Sequence, residues 1–185
     1  MVLDQVLRNG PPRLIEQKKW APKYPMIVVS PQCHDRSWNG AKIHDFIKFI
    51  ITNYNVNKNR IYITGLSMGG TGAMYIFLNN PGLFLSAGST SGIMDLSHSS
   101  NKYTSISKML GDYDSNRHLF DMHSPVNLLQ NITGSEKHLF FDCGSEDHLY
   151  ESNNAFRKRC DELKIKATYI SQPGKHEESY WIKSI

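Results

Sequence analysis

The chain has 185 residues, of which 39% are hydrophobic, 11% aromatic and 21% charged. That length suits one domain with a real core, and the aromatic content excludes a disordered segment. The formal charge of +4 arises from 21 basic and 17 acidic residues scattered along the chain. Nucleic-acid binding needs a concentrated basic patch facing phosphates, so that class is set aside. No apolar run approaches the ~20 residues that cross a bilayer, and no membrane partner is expected. The first residues lack both the basic start and the apolar stretch of a signal peptide, so the compartment is unassigned. Cys33, Cys143 and Cys160 are an odd count without a CxxC pair, which reads as free thiols, Cys143 packed in a strand.

Along the chain, short β-branched runs alternate with helical periodicity, the pattern of an α/β protein. Pro25 to Ser30 is a compact apolar run that predicts a buried strand. Ile43, Phe46, Ile47 and Ile50 then recur at i, i+3, i+4 and i+7, one face of a helix over 41–54. Arg60 to Thr64 reads as a strand stopped by Gly65, and Ser67 to about Asn80 as a helix ended by Asn80-Pro81-Gly82. Phe84 to Ser89 predicts another strand. The stretch at about 91–131 is rich in Ser, Asp, Asn and His and reads as an irregular insertion with one or two short helices. His138 to Cys143 and Ala167 to Ile170 are strands flanking a helix over 148–163, and a terminal helix covers Glu177 to Ile182. A single domain over 1–185 is expected. Helical crossovers imply a mostly parallel sheet with helices on both faces, whose chemistry collects at the carboxyl ends of the strands.

Gly65-Leu66-Ser67-Met68-Gly69-Gly70 contains Gly-x-Ser-x-Gly, directly after a strand and directly before a helix. That context makes it a nucleophile elbow: a tight turn lifts the serine hydroxyl clear of the sheet, and the flanking glycines leave room for it. The helix start supplies unpaired amides, among which Met68 N–H is the natural oxyanion donor. A phosphate loop is excluded by the missing Lys-Ser/Thr and Gly-x-Gly-x-x-Gly spacing.

A nucleophilic serine needs a base, and the base an orienting acid, in the chain order Ser, Asp or Glu, His. Asp147 lies just past the strand ending at Cys143, where a side chain can turn back over the sheet edge. Asp95 is the runner-up, Asp142 still belongs to the strand pattern, and Glu146 reads as a solvated charge. Of eight histidines, His34 and His44 precede the serine, and His98, His118, His123 and His138 precede the acid. His148 begins a helix beside Asp147 and is expected to point elsewhere. His176 follows the last strand and precedes a helix, which is the required place. Asp112 to Asn116 briefly resembles a calcium loop, but Arg117 and His123 stand where that loop needs glycine and glutamate.

The serine motif, Asp142 to Tyr150, and Pro173-Gly174-Lys175-His176 closing near Trp181 resemble the esterase D and tributyrin esterase branch of the α/β-hydrolases. Asn9 to Pro12 and Val28 to Cys33 are similar to esterases related to polyhydroxybutyrate depolymerases. The resemblance implies hydrolysis of small acyl or carbohydrate esters through an acyl-serine, with Ser67, Asp147 and His176 as the catalytic group, Met68 at the oxyanion, and neither metal nor organic cofactor. The alternatives are a serine peptidase or a non-catalytic hydrolase-like binding domain. Members of the family carry further N-terminal strands and a His-Gly loop that gives a second oxyanion donor. The chain starts after them and so resembles the later part of a longer hydrolase. Weakened activity and self-association through an uncovered strand edge are the expected consequences.

Overall fold

The computed structural model describes residue 7 and residues 10–20, 23–32, 40–99 and 104–184. The expectations placed on Asn9, Cys33 and His34 lie outside those residues. Four strands, β1 (Tyr62–Leu66), β2 (Ser86–Thr90), β3 (His138–Gly144) and β4 (Lys166–Gln172), form a parallel sheet in sequence order. Parallel neighbours require crossovers. Helix α3 (Met68–Asn79) links β1 to β2, and α7 (Tyr150–Glu162) links β3 to β4. Tyr62, Ser86, His138 and Lys166 stand in register, so all four strands deliver their carboxyl ends to one edge. β3 and β4 run two residues further, to Gly144 opposite Gln172.

The core lies on one face. Ala87, Leu139 and Phe141 point into it and pack with Met74, Phe77 and Leu78 of α3 and Phe156 and Cys160 of α7, while Cys143 packs with Ile93, Leu96, Phe120 and Leu149 in a second cluster. Phe141 and Phe156 touch edge to face at 5.0 Å between centroids, a geometry that adds to the area they bury. Cys143 and Cys160 are both buried and unbridged, and burial pushes both thiols above the usual range. Such thiols are poor nucleophiles. On the opposite face, Tyr180 of α8 (Glu178–Ser184) is buried against the carboxyl end of the sheet, close to Gly144 and Gly174. Tyr62, Phe140 and Ile170 are about half exposed.

Three expectations about the elements differ from the structure. Gly65 does not stop the strand: it pairs inside β1 opposite Ser89, since glycine keeps its ladder hydrogen bonds. Residues 25–32 form neither strand nor helix, and Met26 to Val29 are exposed. A strand exists only by pairing, and β1, the sheet's edge, pairs with β2 alone among the described residues. The stretch after β2 is also more helical than its composition implied. It holds α4 (Thr104–Leu110), α5 (Tyr113–His123) and α6 (Pro125–Leu128), with 3₁₀ turns at Leu96–Ser99 and Leu129–Ile132. Asp112, in the apparent calcium loop, caps α5 by accepting from Ser115 N–H at 3.0 Å. These helices are short and bury few residues each, so their apolar periodicity is faint. Elsewhere the pattern holds: Ile43, Phe46, Ile47 and Ile50 are half-buried residues of α2 (Gly40–Asn53). A further helix, α1 (Gly10–Glu16), is joined to α8 by the Arg13–Glu178 ion pair. No described helix is long and apolar enough to cross a membrane.

Candidate active site

Ser67 stands between β1 and α3 with φ 53° and ψ −121°, a sparsely populated conformation for a residue with a Cβ. Its amide donates to Thr90 O at 2.8 Å, and its carbonyl accepts from Thr71 N–H at 3.1 Å, so both sides of the turn are held. It occupies the N-cap position of α3, yet its hydroxyl makes no capping bond. The hydroxyl lies instead 2.8 Å from His176 Nε2.

The turn depends on Gly65. A Cβ there would sit 2.1 Å from the carbonyl oxygen of Gly69, backbone that cannot swing aside. Gly69 itself has open space where a Cβ would go, so the second glycine of the motif does not answer to the same crowding. Gly65→Ala is therefore expected to destabilise the fold by about 3 kcal/mol. Gly69→Ala is expected to be neutral or slightly stabilising in its helix. Denaturant midpoints check this, and equal effects at the two positions would contradict the crowding argument.

The other two groups are brought together by stitching between two loops. Ser145 N–H donates to Gln172 O and Glu146 N–H to Gly174 O, both at 3.0 Å. Gly144 permits this approach, because a Cβ there would meet the Gly174 oxygen at 2.2 Å. Asp147 and His176 consequently face each other, with Asp147 Oδ2 2.9 Å from His176 Nδ1. The other carboxylate oxygen accepts from Leu149 N–H at 2.9 Å. The Asp147 side chain is wholly buried. Burial alone would raise its pKa, but the hydrogen bonds from His176 and from Leu149 N–H, with the nearby imidazole, outweigh it and hold the carboxyl below its ordinary value. Ser67, His176 and Asp147 thus form one continuous hydrogen-bonded line. Met68, first residue of α3, carries one of the helix amides that have no intrahelical carbonyl.

The competing acids are engaged elsewhere. Asp95 accepts from Ser97 N–H and Oγ–H and lies 3.0 Å from His98 Nδ1. Asp142, inside β3, accepts from Thr90 Oγ–H at 2.8 Å, and burial pushes its carboxyl up. His123 lies against Leu119 O, and His138 against Thr168 Oγ1. His148 departs from expectation. It does not turn away: its Nδ1 is 3.3 Å from Asp147 Oδ1, and its ring meets that of His176 edge-on at 4.8 Å. The turn at 145–149 precedes α7, so His148 is not yet on a helix face. Trp181 of α8 closes the other side of His176, perpendicular to it at 5.1 Å. Its only sequence signal was proximity to His176.

Residues 18–185 match the family model described as "Putative esterase". The chain belongs to that esterase family. It is similar to S-formylglutathione hydrolase of Mus musculus, 28% identical over 139 residues that cover 73% of this chain and 48% of the mouse protein. The chain thus spans about half the length of that curated relative. Among solved structures, S-formylglutathione hydrolase of Staphylococcus aureus superposes with a TM-score of 0.66 at 21% identity, over 84% of this chain and 63% of that one. A fluorophosphonate-binding serine hydrolase of the same organism, FphF, gives a TM-score of 0.64 at 22% identity, over 78% and 59%. This esterase-family chain therefore has the α/β-hydrolase fold.

Proposed function

We propose that this chain is a serine carboxylesterase that hydrolyses small acyl or carbohydrate esters through an acyl-serine. The observation that carries the reading is the Ser67–His176–Asp147 line, with distances of 2.8 and 2.9 Å. Ser67 Oγ attacks the acyl carbon while His176 Nε2 takes its proton. Asp147 holds the proton on Nδ1, which keeps Nε2 as the acceptor and steadies the imidazolium that forms. Met68 N–H, at the positive end of α3, donates to the developing oxyanion. His176 then passes its proton to the leaving alcohol. Water, activated by the same nitrogen, attacks the acyl-serine and releases the acid.

A cleft of about 130 Å³ lies between α1 and α8, lined by Leu14, Leu66, Trp181 and Ile182 and by the polar Arg13, Gln17, Lys19 and Glu178. The likeness to S-formylglutathione hydrolase of Mus musculus favours a short acyl group. The test is labelling by a fluorophosphonate, with the modified peptide mapped by mass spectrometry, alongside turnover of p-nitrophenyl acetate and butyrate. Labelling at Ser67 with turnover is expected. Neither label nor turnover would leave a hydrolase-like binding domain as the better reading.

A further inference from the structure

We propose that Asp147, His148 and His176 form a divalent-metal site whose occupation by an ion such as Zn²⁺ switches the hydrolase off. Each offers a donor atom, and these atoms lie within 4.8 Å of one another. The Asp147 carboxylate sits between the two rings, with Oδ2 2.9 Å from His176 Nδ1 and Oδ1 3.3 Å from His148 Nδ1. In a tetrahedral zinc site with metal–ligand bonds of about 2.0–2.2 Å, donor atoms stand about 3.3 Å apart. The two imidazole nitrogens lie against different oxygens of the one carboxylate, and a modest turn of that carboxylate and of the His148 ring would gather one donor from each residue around an ion. The His148 side chain is 42% exposed, so solvent reaches its ring. The same exposure gives the ion its way in, since Asp147 is wholly buried and His176 mostly so. Two imidazoles and a carboxylate suit zinc, copper or nickel rather than calcium or magnesium.

Binding silences the base through its tautomer. A metal on His176 Nδ1 takes the lone pair exposed when the Nδ1 proton leaves, and the neutral ring then carries its one proton on Nε2. Nε2–H faces Ser67 Oγ and has no lone pair with which to accept the serine proton. No electrons are transferred, and the ion acts as an inhibitor rather than a cofactor. The Asp147–His176 hydrogen bond must open to admit it, so micromolar rather than tighter affinity is expected.

The inhibitory consequence rests on the esterase reading, whereas the site itself does not. Calorimetric titration of metal-free Ser67→Ala protein with ZnCl₂ should find one ion per chain. His148→Phe and His148→Gln, each added to Ser67→Ala, should weaken binding on the order of tenfold or more. The visible spectrum of bound Co²⁺ should report four-coordination that both changes abolish. With Ser67 intact, Zn²⁺ should suppress p-nitrophenyl acetate turnover reversibly to EDTA, and each His148 variant, scored against its own metal-free rate, should need correspondingly more zinc. Metal binding that survives both His148 substitutions would place the ion elsewhere and overturn the proposal, as would no binding at millimolar zinc. His148-dependent binding in a chain without ester turnover would keep the site and sink the esterase reading instead.

Discussion

Ser67→Ala is expected to abolish covalent labelling and to lower kcat/KM by about 10⁶-fold. The hydroxyl is the atom that would bond to the acyl carbon, and nothing else on the α3 turn replaces it. The fold should survive. Ser67 Oγ makes no cap for α3, and its hydrogen-bond partner is His176 Nε2 at 2.8 Å. Alanine inherits the same positive φ of 53° and the same strain. Ser67→Gly separates the two contributions, because glycine adopts that conformation without the Cβ conflict. The glycine variant should be equally dead and at least as stable as the parent in thermal unfolding. Undiminished turnover in the alanine variant would remove Ser67 as nucleophile.

Asp147→Asn is expected to cost about 10⁴ in turnover with the chain still folded. An asparagine that turns its amide toward His176 Nδ1 donates where the carboxylate accepted. The ring then carries its proton on Nε2, the wrong tautomer for taking the serine proton. Asp95→Asn and Asp142→Asn should change turnover little, since those carboxylates serve Ser97 and Thr90. If Asp95→Asn proved the damaging change, the acid assignment would fall. Stability carries a second signature. The Asp147 carboxyl is held below its ordinary pKa, so its ionised form stabilises the native state fully above the usual carboxylate range near ~3.9. That contribution is lost as pH falls through the depressed native value. Thermal melts against pH should therefore show parent and Asp147→Asn converging in acid and diverging toward neutrality.

Much of the fold could be read from local pattern. The half-buried stripe of α2, the presence of a strand before the serine and the helix end at Asn80 depend on periodicity and backbone preference. These act within a few residues. The run at 25–30 shows where such reasoning stops: its residues favour a strand, but pairing is a property of a neighbour the local sequence does not contain. Helices α4 to α6 were faint for a related reason. Each buries too small a face to write a clear period into a polar sequence.

The site divides along the same line. Gly-x-Ser-x-Gly between a strand and a helix specifies its own turn, because the Gly65–Gly69 contact is local. The order Ser67, Asp147, His176 follows from which loops leave which strand ends, and a parallel sheet forces those ends to one edge. Whether Asp147 or Asp95 reaches His176 is not local. It is decided by backbone bonds between the 145–149 and 173–177 loops and by the close packing of Gly144 on Gly174. The position of His148 was settled there as well. A histidine at the start of a helix has no preferred direction in sequence, and only the turn that carries Asp147 toward His176 sets its ring against the same carboxylate. The sequence by itself determined the elements and the nucleophile turn, because those rest on short-range sterics and periodicity. Tertiary structure decided which carboxylate reaches His176 and set the second histidine against it, because these contacts depend on how two distant loops bond.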